Sequence, residues 1–252
     1  MAAAELRLVF GDPAIDPGEE VTPGRLARPV PVTVGDIERL WRGRSQLLRF
    51  PAWGPVDALA EVVGQLSAST ALFRHCGPTP ELVEPVPIDE PLVYGSDLVT
   101  VQRYRGKTSE RLTRAMLNIA LAVAGTNPAR PAGTVLDPMC GRGTTLNWAL
   151  AYGLGAVGMD VDGASLDQHA TFLETWAKRQ RLPHKTTRFR SGNAERRSLT
   201  LEVAPDRRAF KAGDGQRVQT FRADAGDRKV AIKRGSVDVV VTDLPYGVQH
   251  RG

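Results

Sequence analysis

Two short runs in this chain end in residue types able to do chemistry. Val135-Leu-Asp-Pro-Met-Cys-Gly-Arg-Gly-Thr-Thr145 and Val239-Val-Val-Thr-Asp-Leu-Pro-Tyr-Gly247 each start apolar and β-branched, then break into acidic, proline and glycine positions. Each reads as a buried strand that delivers a loop. In the first, Gly141 and Gly143 let backbone approach a ligand closely, and a helix starting near Thr144 offers its N-terminal N–H groups to an anionic group. The second places a carboxylate (Asp243), a backbone carbonyl (Leu244), a rigid ring (Pro245) and an aromatic face (Tyr246) within four residues. That set can hold a planar ring bearing an amino group.

A third acid lies between them. Ala156-Val-Gly-Met-Asp160 reads as a strand whose Asp160 stands 23 residues after Asp137, near the spacing at which a nucleotide-binding βαβ unit sets an acid on the ribose hydroxyls. Asp162 is the alternative for that role, and it also fits an N-cap of the next helix. The segment Gln219 to Ala225 has the form of a further strand, with Asp224 near its end. Asn193 in the competing segment Phe189 to Ala194 is the weaker candidate.

Each signal alone is modest. A Gly-x-Gly after a strand also makes an ordinary strand-to-helix turn, and Asp-Leu-Pro-Tyr also makes a plain turn. A dinucleotide fold wants a third glycine, but Thr144, Thr145 and Leu146 follow Gly143. The Gly-Lys-Ser/Thr of a phosphate-binding Walker loop is absent too. The ordered conjunction of three acidic strand ends carries the argument.

Taken together, Asp137-Pro138-Met-Cys140-Gly141-Arg-Gly143-Thr144 and Asp243-Leu-Pro-Tyr246 resemble the motifs of S-adenosylmethionine-dependent amino-methyltransferases, D-P-x-x-G-x-G-T and (D/N)-P-P-Y. The first motif and the segment Tyr104-Arg-Gly-Lys-Thr108 onward look most like the tRNA guanosine-N2 methyltransferases that carry a THUMP domain. The resemblance spans residues 98 to 252. It implies an α/β fold with a Rossmann-like class I methyltransferase sheet, here only its first four strands. It also implies S-adenosyl-L-methionine as cofactor, held by Asp137, Pro138, Cys140, Gly141, Gly143, Thr144, Asp160 and Asp224, with Thr108 and Lys107 near the methionine end. Asp243, Leu244, Pro245 and Tyr246 become the catalytic loop, and an RNA base, most simply guanosine N2 in tRNA, the methyl acceptor. DNA adenine-N6 or cytosine-N4 methylation uses the same loop. Glutamine methylation in proteins prefers Asn at its first position, and a catalytically inactive RNA-binding module stays open as another class. The family has Pro where this chain has Leu244, a change that keeps the carbonyl and loosens the loop.

These groups need elements to position them. From Ser109, the pattern Leu112, Met116, Ile119, Ala120 and Val123 predicts an amphipathic helix with Thr108 or Ser109 as N-cap. Residues 194 to 217, rich in charge and glycine, read as an insertion, either a hairpin over the substrate cleft or a disordered loop. The chain divides near residue 95, giving a region 1–95 without an assigned role and a methyltransferase domain 96–252. The first region reads as a small α-rich or α+β domain, shorter than the ferredoxin-like-plus-THUMP arrangement of the tRNA enzymes. In it, residues 11–32 are irregular, and helices are predicted over Val34–Arg42 and Val56–Arg74. Leu59, Val62, Val63 and Leu66 form a core stripe, Trp41 and Trp53 anchor the core or stack bases, and Pro78 to Pro91 form a linker.

Composition narrows the class. The chain has 252 residues at 42% apolar, with no apolar run of membrane-spanning length and no basic-then-apolar leader, which predicts a cytoplasmic enzyme. Cys76 and Cys140 are too few for a disulfide framework or a cysteine metal site, so no metal is expected. Cys140 is expected to pack beside the glycine loop. Between Lys178 and Arg234 stand 17 Lys/Arg against 6 Asp/Glu, an excess of 11 in a chain of net charge +5. That half is the candidate phosphate-tracking surface. Arginine and alanine richness from a high-GC genome would give a similar excess, since only 6 of the 33 basic residues are Lys.

One expectation concerns the end of the chain. A class I sheet continues through three more strands after its fourth, whereas six residues follow Tyr246. The strand Val239–Val241 is therefore expected to be an uncovered edge. A missing half downstream, or a partner chain, is expected to complete the sheet.

Overall fold

The computed structural model describes residues 32–42, 45–77, 82–90, 92–126, 132–191, 196–227, 230 and 232–244. The irregular segment expected over 11–32 lies outside them but for Val32. The chain forms two compact units, Met1–Pro91 with Asn118–Pro131, and Leu92–Leu117 with Ala132–Gly252.

The described residues of the first unit hold two-stranded antiparallel ladders, a ten-residue helix and the end of a second helix. Strands β1 (Thr33–Val34) and β4 (Ala52–Trp53) pair, β2 (Glu38–Arg42) pairs with β3 (Ser45–Arg49), and β5 (Leu72–His75) pairs with β6 (Val83–Val86). The helix predicted over Val34–Arg42 is therefore strand. Its register with β3 sets Glu38 opposite Arg49, and their side chains form an ion pair at 2.5 Å. An exposed pair of this kind contributes at most about 1 kcal/mol, so it marks the register more than it stabilises. Arg74 and Glu84 repeat the arrangement across β5 and β6, where a linker was expected.

Helix α1 (Val56–Gln65) ends nine residues before its predicted limit. Leu66 is already extended, and the Ser69 hydroxyl donates to the carbonyls of Val63 and Leu66. Those carbonyls are among the last four that a helix leaves without internal partners. The predicted stripe is kept: Val63 and Leu66 form the core with Ile37, Leu48, Phe50, Leu59, Leu72 and Ile88 packed against them. Trp41 and Trp53 are not its anchors, being 64% and 60% exposed.

The second unit is mixed α/β. Short α2 (Asp97–Thr100) and part of α3 (Glu110–Val123) precede β7 (Thr134–Asp137), α4 (Thr144–Ala151), β8 (Gly155–Asp160) and α5 (Gly163–Arg179). Then come β9 (His184–Ser191), β10 (Arg196–Val203), α6 (Arg207–Ala212), β11 (Gln216–Arg222) and β12 (Val239–Val240). One six-stranded sheet results, in the order β12-β7-β8-β11-β10-β9. The first four are mutually parallel, while β9 and β10 are antiparallel additions beyond β11. Four strands were expected, and among the described residues six pair in this sheet. The insertion starts at His184, ten residues earlier than read, and lies within the sheet at the edge opposite β12 instead of covering a cleft.

The α3 stripe is rotated from its prediction. Leu112 and Val123 are exposed, whereas Thr113, Arg114, Ala115, Leu117, Asn118 and Leu121 are buried. Burial of the polar members follows from partners that a hydrophobic pattern cannot reveal. The Arg114 guanidinium lies over the Trp148 ring at 5.2 Å and its Nε donates to the Tyr152 hydroxyl at 3.2 Å. Asn118 donates to the Gln65 carbonyl at 2.8 Å.

Candidate active site

The parallel strands bring three predicted acids to one edge of the sheet. Because β7 lies between β12 and β8, the loop after β7 runs between Asp243, which follows β12, and Asp160, which ends β8. Ala223 donates from its backbone N–H to the Asp160 carbonyl at 3.0 Å, which carries Asp224 to the same edge. Asp224 is exposed, and its Oδ1 accepts from the Gly226 N–H at 2.8 Å. Asn193 lies outside the described residues, and Phe189 before it belongs to the antiparallel β9.

Asp137 is buried, with 3% exposure, and accepts from the Met139 N–H at 3.1 Å. Burial pushes its carboxyl up, opposed by the Thr145 hydroxyl and the Met139 N–H. It thus ties the loop to the start of α4. Asp160 fixes the same loop from the other side. Its Oδ2 accepts from the Gly141 N–H at 2.7 Å and its Oδ1 from the Asp162 N–H at 2.8 Å. Each carboxylate oxygen has about two acceptor sites, so both keep capacity for a ligand. Asp162 instead caps α5, accepting from the Ala164 N–H at 3.0 Å and the Ser165 hydroxyl at 2.7 Å. The Ser165 bond leads the causes that hold its carboxyl below the usual range.

The two glycines differ. Gly141 has φ +51°, and a Cβ placed there would meet nothing within 4 Å, so its face is open. Gly143 has φ +78°, and a Cβ there would stand 2.3 Å from His169 Nε2. The space left by its missing Cβ is thus filled by a protein side chain. Its N–H is spent on the Cys140 carbonyl at 2.7 Å.

His169 is wholly buried, and its Nε2 lies 2.9 Å from Asn147 Oδ1. Oδ1 can only accept, so Nε2 carries the proton and Nδ1, which has no hydrogen-bond partner, is bare. Burial lowers the ring's pKa to about 4, which keeps it neutral. Cys140 packs as expected: its Sγ would be 2.8 Å from a Cβ at Gly158, and burial pushes the thiol well above its ordinary value.

A strap of residues from Tyr104 to Thr108 crosses this edge. The Tyr104 hydroxyl meets Thr144 Oγ1 at 3.0 Å, and Thr108 Oγ1 donates to Asp243 Oδ2 at 2.8 Å. Between them, Lys107 donates to the Val99 carbonyl at 2.6 Å and to Glu110 at 2.5 Å. Lys107 is thus committed inside the protein. Ser109 accepts from the Thr113 N–H at 2.9 Å, as an N-cap carbonyl does, which leaves Thr108 for Asp243. Arg142 lies over the Tyr104 ring at 4.7 Å. Leu244 is 60% exposed, while Pro245 and Tyr246 lie outside the described residues.

Tyr104, Arg142, Asn147 and His169 were not singled out as site residues from the sequence. The one available signal was Asn147 inside a helix that is otherwise apolar after Thr145. Among the described residues no cluster of three or more His, Cys, Asp or Glu could hold a metal ion, and no helix is long and apolar enough to cross a membrane.

Residues 99–251 match the UPF0020 family model, described as RMKL-like, methyltransferase domain. No curated protein matches the chain.

Proposed function

The chain belongs to the UPF0020 family of RMKL-like methyltransferase domains, class I methyltransferases of the THUMP-associated RNA methyltransferase type, and from that premise we propose that it methylates the exocyclic amine of a nucleic-acid base, guanosine N2 in RNA. The supporting observation is the convergence of the glycine loop, Asp160 and Asp243 on one edge of a Rossmann-like parallel sheet.

The family typically uses S-adenosyl-L-methionine, which supplies an electrophilic methyl group. The residues at the edge suit it. Open space at Gly141, the N-terminal end of α4 at Thr144, and spare acceptor capacity on Asp160 are features such a ligand needs. Asp160 would accept from the ribose hydroxyls and Asp224 from the adenine amino group. Asp137, Pro138, Cys140 and Gly143 would shape the loop beneath. Thr108 would lie near the methionine end through its bond to Asp243.

The chain's own contribution to reactivity lies at Asp243 and Leu244. An aromatic amine attacks poorly because its lone pair is delocalised into the ring. Two acceptors, the Asp243 carboxylate and the Leu244 carbonyl, would hold its N–H groups and let the nitrogen pyramidalise. As positive charge develops on that nitrogen, a carboxylate already fixed by Thr108 needs little reorganisation to stabilise it. Tyr246 would stack the extruded base.

The test is incubation of the purified chain with labelled cofactor and tRNA, rRNA or DNA, followed by nucleoside analysis. Label in N2-methylguanosine is expected. Label in methylated DNA bases alone would reassign the substrate. Cofactor binding without transfer to any of the three would make the chain an inactive module.

A further inference from the structure

We propose that Arg142, seated on the Tyr104 ring, grips a backbone phosphate of the nucleic-acid strand whose base is methylated. The inference rests on the proposed function and names a substrate contact that the two motifs do not assign.

The argument begins with charge. Asp160, Asp162, Asp224 and Asp243 all stand at or just beyond the carboxyl edge of the parallel strands. An acid-lined rim repels a polyanion, so a nucleic acid reaching it needs a countercharge close by. Sheet order puts the loop after β7, and Arg142 within it, between the strand ends that carry Asp243 and Asp160. Of the other basic groups near this edge, Lys107 is taken up by the Val99 carbonyl and Glu110, Arg222 at the end of β11 donates from its Nε to the Val161 carbonyl at 3.2 Å, and Arg105 of the strap is exposed.

Arg142 is also held in place. Its guanidinium lies 4.7 Å from the centroid of Tyr104, and that ring is pinned through its hydroxyl to Thr144 at 3.0 Å. A ring face stabilises the cation but has no lone-pair acceptor of the kind a phosphate oxygen supplies. Among the described residues the guanidinium has no hydrogen-bond or ion-pair partner, which leaves its five donors for an oxyanion. The charge is felt locally, since Arg142 is among the weaker causes lowering the Asp162 carboxyl.

Distance favours a phosphate of the reacting strand. The strap from Tyr104 to Thr108 is five residues long, so its ends are at most about 14 Å apart. Thr108 touches Asp243, and Tyr104 touches Arg142. A nucleotide with its base edge at Asp243 has a backbone phosphate within that reach. Partial exposure fits the same assignment, because phosphates stay at the rim while the base goes in.

The test compares Arg142→Gln and Arg142→Lys with the unaltered chain, using an unmodified tRNA transcript. Binding is followed by fluorescence anisotropy across a salt series, methyl transfer by its KM and kcat, and cofactor affinity by calorimetry. Arg142→Gln should raise Kd and KM for the transcript about tenfold, lower the slope of log Kd against log salt by about 1, and leave kcat and cofactor affinity within about twofold. Arg142→Lys should recover most of the affinity, since a point charge also serves a phosphate. An unchanged Kd and salt slope in a folded Arg142→Gln protein would overturn the proposal. A loss of cofactor affinity with the salt slope unchanged would also overturn it, by assigning Arg142 to a carboxylate of the cofactor. The anisotropy arm stands without turnover, so a chain that methylates nothing would sink the proposed function and still report on Arg142.

Discussion

The six-stranded sheet has two halves built to different rules. Its parallel half, β12-β7-β8-β11, has strands covered by α4 and α5 and ends in acids: Asp137 and Asp160 at the strand termini, Asp224 and Asp243 just beyond. Its antiparallel half, β9 and β10, alternates buried Leu199, Leu201 and Val203 with polar positions. Register aligns Lys185, Glu202 and Arg217 in one row across β9, β10 and β11. One half gathers carboxylates at its edge, and the other widens the sheet. The lesson is that parallel strands point all their ends one way and can converge several acids, whereas a hairpin turns back and cannot.

Substitutions should separate the two halves. The largest effect is expected from Asp243→Ala, which should lower turnover about 10²-fold or more while cofactor binding is kept. Near-normal single-turnover rates would remove the chemistry from this edge.

Next in size is the buried imidazole behind the glycine loop. His169 has a folded pKa of about 4 against 6.5 when unfolded, so the unfolded chain binds the proton more readily between those values. Stability from this residue is therefore complete above pH 6.5 and is lost as pH falls toward 4. The swing should be about 3 kcal/mol. Denaturant titrations of His169→Gln should show a flatter pH profile across that window, and a profile parallel to the parent would contradict the assignment.

Asp160→Ala should weaken cofactor binding by about 1.5 to 3 kcal/mol, the scale of hydrogen bonds to a charged group. The same substitution frees the Gly141 N–H, so calorimetry should be paired with a melting curve to separate a missing ribose acceptor from a loosened loop. Unchanged affinity in a folded variant would take the ribose role from this residue.

The smallest effect belongs to the hairpin. Lys185→Gln and Arg217→Gln should leave cofactor affinity intact and weaken nucleic-acid binding, with the salt slope reduced by about 1 for each phosphate no longer neutralised. A change in kcat at saturating substrate would blur the division between the halves.

Much of the parallel half was legible because its signals are local. An apolar β-branched run followed by Asp, Gly and Pro specifies a strand and its loop within ten residues, and the order of three such runs prescribes neighbours. The misses share the opposite property. Glu38–Arg42 is strand because Ser45–Arg49 pairs with it, and Leu72–His75 is strand because Val83–Val86 does. Pairing overrode the helical spacing that those segments display alone. On α3, Thr113, Arg114 and Asn118 face inward, two of them toward partners distant in sequence, Tyr152 for Arg114 and Gln65 for Asn118. The packing of His169 against Gly143 was not legible either, since His169 stands 26 residues on with no motif to announce it.

The Cys140 thiol gives the glycine loop a clock. With its sulfur sealed against the backbone at Gly158 and its ionisation suppressed, it can meet a thiol reagent only when the loop leaves β8. Cys76, less buried and placed in the other unit, supplies the unprotected reference within the same chain. The ratio of the two alkylation rates would thus measure how often the loop opens, and a ligand that lies across the loop should slow Cys140 while leaving Cys76 unaffected.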